Sequence, residues 1–355
     1  MCRLAQDGPR SASAPLGWSL PHRAPVGRAR LEVRLRPVAF VFPGQGSQAV
    51  GMGRDLALAS PAAAAVFEAV DAALGEPLAR LAWEGPAETL DQTVNAQPAL
   101  LATSIAYLAA LRERWAAAGI EARPRYVAGH SMGQYSALVA AGALDLAAAV
   151  RLVRERGVRM QASGAGREGR MAALIGLDDA RIPELLEAAS THGVIGVANR
   201  NAPGQVVLSG ERSAIEAVLP LARSLGARRV VELPVSVAAH SPLMAEAAEG
   251  MRSALATVPF ADPSPPLLAN ADGHELSSAA ACRDELVAHL TTGVDWVRVV
   301  ETMAAAGVAT FVEVGPGRVL TGLVRRIVPG AEAIATDDAG APDHLAIPFL
   351  DPAPA

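Results

Sequence analysis

The pentapeptide Gly129-His130-Ser131-Met132-Gly133 constrains this 355-residue chain more than any other segment. Apolar Tyr126-Val127-Ala128 precedes it and Tyr135-Ser136-Ala137-Leu138-Val139 follows, so a Gly-x-Ser-x-Gly pattern falls at a strand-to-helix junction. Glycines on both sides of a serine let the backbone turn sharply enough to expose the hydroxyl at a helix N-terminus. There the first unpaired N–H groups and the helix dipole favour negative charge. Ser131 is therefore a candidate nucleophile for an acyl-enzyme, with a plain glycine turn as the alternative.

A second loop supports the chemical reading. Val38-Ala39-Phe40-Val41-Phe42 reads as a buried strand that stops in Pro43-Gly44-Gln45-Gly46-Ser47-Gln48. Glycine-rich loops offer backbone N–H groups to anions. A phosphate loop is excluded because its Gly-Lys-Ser/Thr ending is missing and the chain contains no lysine. A dinucleotide fingerprint is excluded because Gly44-x-Gly46 is not followed by its third glycine. An oxyanion hole needs one donor after the nucleophile and one from a separate loop. The N–H groups of Met132 and Gln45 fit those two places.

A serine hydroxyl needs a base. Of the seven histidines, His240 follows the apolar run Val230 to Val237 and precedes the turn Ser241-Pro242. Strand ends are where α/β folds gather catalytic groups, so His240 is the candidate, against a purely structural histidine. His130 reads as a packing residue. Periodicity singles out one cation. At about 100° per residue, a helix from the N-cap Asp145 to Gln161 gathers Leu146, Ala149, Val150, Val153, Gly157 and Met160 on one arc. Arg151, Arg154 and Arg159 fall outside that arc and Arg156 falls inside it. A guanidinium facing a core needs a carboxylate, from a substrate or from the protein's own acids.

Phe42-Pro43-Gly44-Gln45-Gly46-Ser47-Gln48, Gly-His-Ser-Met-Gly, Arg154-Glu155-Arg156-Gly157 and Pro234-Val235-Ser236-Val237-Ala238-Ala239-His240 occur in this order. The chain resembles the malonyl-CoA:acyl-carrier-protein transacylases, the acyltransferases of fatty acid and polyketide synthesis, from about Pro37 to about Pro329. The resemblance implies ping-pong transfer of malonyl from coenzyme A to Ser131 and then to the phosphopantetheine thiol of acyl carrier protein. It implies His240 as general base and Arg156 as the partner of the malonyl carboxylate. It also implies a backbone carbonyl seven residues before Trp296, which is that of His289, as the group orienting His240. The family commonly has glutamine at that position. Gln97 matches a glutamine near the family's pocket. No metal or other cofactor is implied. Serine hydrolases remain an alternative, either a thioesterase or a patatin-like lipase that would use Asp272. A non-catalytic carrier-protein docking subunit is a third reading. Ala239, Met132 and Gln134 stand where relatives more often have serine or phenylalanine, leucine and glutamate, which leaves methylmalonyl open as the acyl group.

The expected fold is α/β, with a large hydrolase-like domain around a parallel sheet over 37–168 and 236–329. Strand and helix patterns between 169 and 235 follow the order β-α-β-β-α-β, which reads as an inserted ferredoxin-like subdomain. Residues 163–169 read as a flexible joint, and 330–355 as a loosely packed tail rich in Ala, Pro and Asp. Residues 1–36 carry seven arginines against Asp7 and Glu32 and read as a disordered basic extension. Setting that arm's +5 against the chain's −5 leaves −10 for the body, which argues against a nucleic-acid partner. Arg228-Arg229 and Arg325-Arg326 are candidate contacts for an acidic carrier protein. Only Cys2 and Cys282 are present, so a reducing cytoplasm is the expected compartment. No apolar run approaches a membrane span, and a monomer is expected.

Overall fold

The computed structural model describes residues 37–337 apart from 121, 165–167, 234 and 236. The basic extension therefore lies outside the described residues, as do the middle of the joint, 165–167, and most of the tail. In chain order, β1 (Val38–Phe42) leads into α1 (Arg54–Ala59), α2 (Pro61–Leu74), α3 (Leu78–Glu84), α4 (Ala87–Leu90) and α5 (Thr93–Ala117). Next come β2 (Tyr126–Gly129), α6 (Gly133–Ala140) and α7 (Leu146–Ser163). A second group follows: β3 (Gly169–Ile175), α8 (Ile182–Ser190), β4 (Ile195–Ala202), β5 (Gln205–Glu211), α9 (Arg212–Ser224) and β6 (Arg229–Glu232). The chain closes with α10 (Ala245–Ala256), β7 (Leu267–Leu268), β8 (Glu275–Leu276), α11 (Ala279–Thr292), β9 (Val294–Asp295), α12 (Trp296–Ala305), β10 (Thr310–Glu313), α13 (Val319–Ile327) and β11 (Glu332–Ala335).

The result is a mixed α/β fold. One sheet runs β11-β10-β1-β2-β7-β8, parallel except for the β7–β8 pair. Its β1 is buried at every position, as expected of a strand covered on both faces. Register places Phe42 opposite Gly129, so β1 and β2 end at the same level. Their loops, and the one after β7, open side by side at the carboxyl edge, where parallel sheets bind ligands. The second sheet, β6-β3-β5-β4-β9, is antiparallel except where β9 joins β4 in parallel.

Four sequence expectations change. Residues 330–337 are not loose: β11 adds to β10 in register Thr310 to Glu332, and Ala333 and Thr336 are buried. The open edge of a parallel strand supplied unpaired N–H and C=O groups that this short segment satisfies. The sequence suits a helix starting at Gln97 with Pro98 in its first turn, but α5 begins at Thr93 and puts Pro98 in its second. That helix is also long and apolar enough to cross a bilayer by length and composition, contrary to the expectation that none is. Most of it is buried inside this fold against α2 and α7. Finally, β6 stops at Glu232, so His240 lies in a turn and not at the end of a strand through Val237.

Candidate active site

The elbow is built by close contact. A Cβ on Gly129 would run into the backbone of Gly133 and Gln134, and one on Gly133 into the Phe42 carbonyl oxygen. Neither glycine has positive φ; the left-handed residue of the turn is Ser131 itself, at φ 54°. His240, at φ 59°, is the other non-glycine residue with positive φ among the described residues. Side chains avoid that conformation, and when they hold it the surroundings have fixed them there, most often at functional sites. Two hydrogen-bonding side chains fix the elbow. Asn270 accepts the Ser131 N–H on Oδ1 at 2.8 Å and donates Nδ2 to the Gly129 carbonyl at 2.9 Å. Gln134 accepts the Gly129 N–H at 2.9 Å and donates to the Leu268 carbonyl at 2.9 Å.

The Ser131 hydroxyl meets His240 Nε2 at 2.8 Å, and His240 Nδ1 donates to the His289 carbonyl at 2.6 Å. That second bond places the proton on Nδ1 and leaves Nε2 as the acceptor for the serine proton. Burial, then the neighbouring charge of Arg156, pushes the His240 pKa down to about 3, so the ring is neutral at physiological pH. His289 contributes through its carbonyl; its imidazole is wholly buried and is not part of the cavity wall.

Arg156 is 1% exposed. It donates to Gln97 Oε1 at 2.7 Å and to the Ser131 hydroxyl at 3.0 Å, so its hydrogen-bond partners among the described residues are neutral. Burial lowers its pKa to about 10, which still leaves a cation at neutral pH. Gln97 is fully buried behind it and does not line the cavity, but holds two residues that do, the Arg156 guanidinium and Met160 Sδ at 3.6 Å.

A cavity of about 370 Å³ opens over Ser131. Its lining combines the polar Gln45, Gln48, Asp91, His130, Arg156, Asn199 and His240 with the apolar Met132, Met160, Met171, Leu233, Val235, Val237 and Ala239. The N–H groups of Gln45 and Met132 donate to no backbone carbonyl among the described residues, which leaves both available beside Ser131. His130 is not simply packed away. It borders the cavity, meets Asn201 Oδ1 at 2.9 Å and lies against Trp296.

Residues 39–338 match the acyl transferase domain family. The chain belongs to that family. Malonyl CoA-acyl carrier protein transacylase of Escherichia coli K12 is 46% identical over 303 residues, covering 85% of this chain and 96% of that one. The Bacillus subtilis 168 protein of the same name is 41% identical over 302 residues, 85% of this chain and 93% of its own. A crystal structure of acyl-carrier-protein S-malonyltransferase from Bartonella henselae superposes with a TM-score of 0.84 at 44% identity, covering 87% of this chain and 98% of that one. A malonyl-transacylase solved in complex with its type II polyketide acyl-carrier protein gives a TM-score of 0.82 at 40% identity, covering 86% and 98%.

Other candidates do not reach this acyltransferase centre. Asp272 bonds His274 at 2.6 Å, is exposed, and does not border the cavity, so the lipase-type Ser–Asp pair is not assembled. Arg325 donates to the Ala333 carbonyl at 2.8 Å and Arg326 to the Pro203 carbonyl at 3.1 Å, which engages both within the fold. Arg228 and Arg229 are exposed. Sequence reasoning missed Asn270 and Gln134 as elbow supports. The one available signal was an apolar run, Leu267 to Ala269, that leads into a side-chain amide.

Proposed function

We propose that this enzyme transfers malonyl from malonyl-CoA to the phosphopantetheine thiol of acyl carrier protein through a Ser131 acyl-enzyme. The observation that carries the reading is the buried Arg156 cation, which touches the Ser131 hydroxyl and whose hydrogen-bond partners among the described residues are neutral. A charge so placed is costly unless an anion meets it, and a malonyl carboxylate would meet it while its thioester carbon faces Ser131. Gln97 aims the guanidinium fork.

In this mechanism Ser131 attacks the thioester as His240 takes its proton, and the His289 carbonyl steadies the imidazolium. Charge gathering on the thioester oxygen is met by the N–H groups of Met132 and Gln45. CoA leaves as a thiol with the His240 proton, and the carrier thiol repeats the steps in reverse. Malonyl-CoA and the carrier are substrates, and this chemistry calls for no metal or redox cofactor. The names of the similar proteins support the malonyl and carrier-protein assignments.

Within this reading the chain divides into a large hydrolase-like domain, 37–168 and 236–329, and an inserted subdomain, 169–235. The spatial order β6-β3-β5-β4 supports a ferredoxin-like βαββαβ unit, since its strands then lie fourth, first, third, second. A monomer acting in the cytoplasm completes the proposal.

The test incubates the enzyme with malonyl-CoA, with and without holo carrier protein, and follows intact masses. A malonylated enzyme that passes its group to the carrier is expected, and Ser131→Ala should give neither species. Release of free malonate faster than carrier loading would instead identify a thioesterase. Running methylmalonyl-CoA in parallel tests whether the small Ala239 admits an α-methyl group.

A further inference from the structure

Helix α11 reaches the catalytic centre twice. Its His289 carbonyl orients His240, and one turn earlier Glu285 reaches the elbow from beneath. Glu285 Oε1 accepts the Asn270 N–H at 2.6 Å and lies 3.4 Å from Gln134 Nε2. Those are the same two residues whose side chains fix the Gly129 and Ser131 backbone. The Asn270 carbonyl is held as well, by the Asp295 N–H at 2.7 Å. All four polar groups of Asn270 are therefore committed, two of them to the elbow. Asn270 and Gln134 are fully buried and Glu285 is 7% exposed.

A carboxyl group in such a place is an expensive way to fill space, because an apolar side chain of similar volume would pack without desolvation cost. What the carboxyl supplies is an acceptor for the Asn270 N–H. Ser131 also holds a backbone conformation it does not favour, so its hydroxyl depends on outside restraint. We propose that Glu285 is a positioning residue for acyl transfer: through Asn270 it fixes the Ser131 hydroxyl and the Met132 N–H against the imidazole that its own helix orients. The proposal rests on the Ser131 acyl-enzyme reading. Glu285 touches no reacting atom.

The test measures the rate at which malonyl-CoA acylates Ser131 in the full chain, together with KM and the melting temperature. E285A should acylate about 10- to 100-fold more slowly, the usual penalty for a reacting group displaced by about 1 Å. Its KM should stay within about threefold of the wild-type value, since Arg156 and the cavity wall are untouched. E285Q keeps an oxygen acceptor and should recover most of the lost rate. N270A should resemble E285A, and the double variant should be no slower than the slower single variant, because the two act in series. Wild-type acylation in E285A would overturn the proposal, as would penalties that multiply in the double variant or an E285Q no faster than E285A. If E285A does not fold, E285D decides: it keeps a carboxyl but draws it back by one methylene from the Asn270 N–H, so a wild-type rate there would equally overturn the proposal. Continued acylation of S131A would instead remove the underlying nucleophile assignment, and the two failures are read from different variants.

Discussion

Ser131 and His240 hold each other in a bond of 2.8 Å while both carry left-handed backbone angles. Each such residue costs about 1–3 kcal/mol, so the surrounding bonds must over-determine it. For His240 those are the His289 carbonyl and the turn in which the Ser241 hydroxyl caps the Ala238 carbonyl at 2.7 Å. Burial and the charge of Arg156 depress the His240 pKa to about 3. In the proposed mechanism protonation would abolish the base, and a depressed pKa delays protonation to strong acid. Acylation kcat/KM, which reports the free enzyme, should thus stay flat from pH 8 to about pH 5. A fall centred near the ordinary imidazole value of about 6.5 would show that His240 titrates normally. Arg156→Ala tests both roles of the guanidinium. Removing the positive neighbour should move the acid limb upward, toward the ordinary value. Malonyl transfer should lose about 2–5 kcal/mol in transition-state terms, the cost of stranding one charge of a buried pair. Acetyl transfer should lose less. An unchanged malonyl-to-acetyl ratio in folded protein would make Arg156 a structural residue.

Helix α7 shows how an element delivers one of these residues. Asp145 accepts the N–H groups of Ala147 and Ala148, at 2.9 and 3.1 Å, and starts the helix; eleven residues on, its buried arc presents Arg156. Asp145→Ala should cost about 1 kcal/mol, a melting-temperature drop of about 2 °C. Transfer per folded molecule should stay within about twofold, because α5 and α10, packed along α7, hold its far end. A larger activity loss with unchanged melting would mean the cap sets the register of Arg156. This helix was legible in the sequence because its cap and its period are local signals, and Arg156 stood out as the charge on the wrong side. The elbow was legible for the same reason, although its glycines serve contact more than backbone freedom. Asn270, Gln134 and Glu285 were not legible as a unit. Their bonds span up to 151 positions, and no local pattern marks an amide or carboxyl that will be buried. Strand β11 was lost in an Ala- and Asp-rich stretch because its partner, β10, supplies the reason for it to be a strand. His289 entered the reading only by family likeness, as a carbonyl, and its side chain has a consequence of its own.

At the scale of the whole molecule, His240 and His289 sit in the interior with ring centres 6.0 Å apart. Burial, with Arg156 nearby, depresses both pKa values, and that of His289 falls well below the ordinary range. The unfolded chain takes up these protons below about pH 6.5, whereas the folded chain refuses them until far lower pH. Each histidine therefore adds stability that is complete above about pH 6.5 and is lost as pH falls below it, at about 1.4 kcal/mol per unit. Two buried acids oppose this trend. Burial raises the pKa of Glu285 and Glu313, so on acidification the folded state binds their protons first and gains stability. Total stability can then change little with pH, and the histidine contribution must be isolated. His289→Gln does so, because it removes one imidazole and keeps the backbone carbonyl that accepts the hydrogen bond from His240 Nδ1–H. Glu285 Oε1 lies 3.9 Å from His289 Nδ1, too far for a hydrogen bond that would hold a proton there. Urea unfolding should therefore show stability declining less steeply for His289→Gln than for wild type between about pH 6 and pH 5. The expected difference in slope is about 1.4 kcal/mol per unit. Parallel lines would mean that His289 accepts a proton inside the fold.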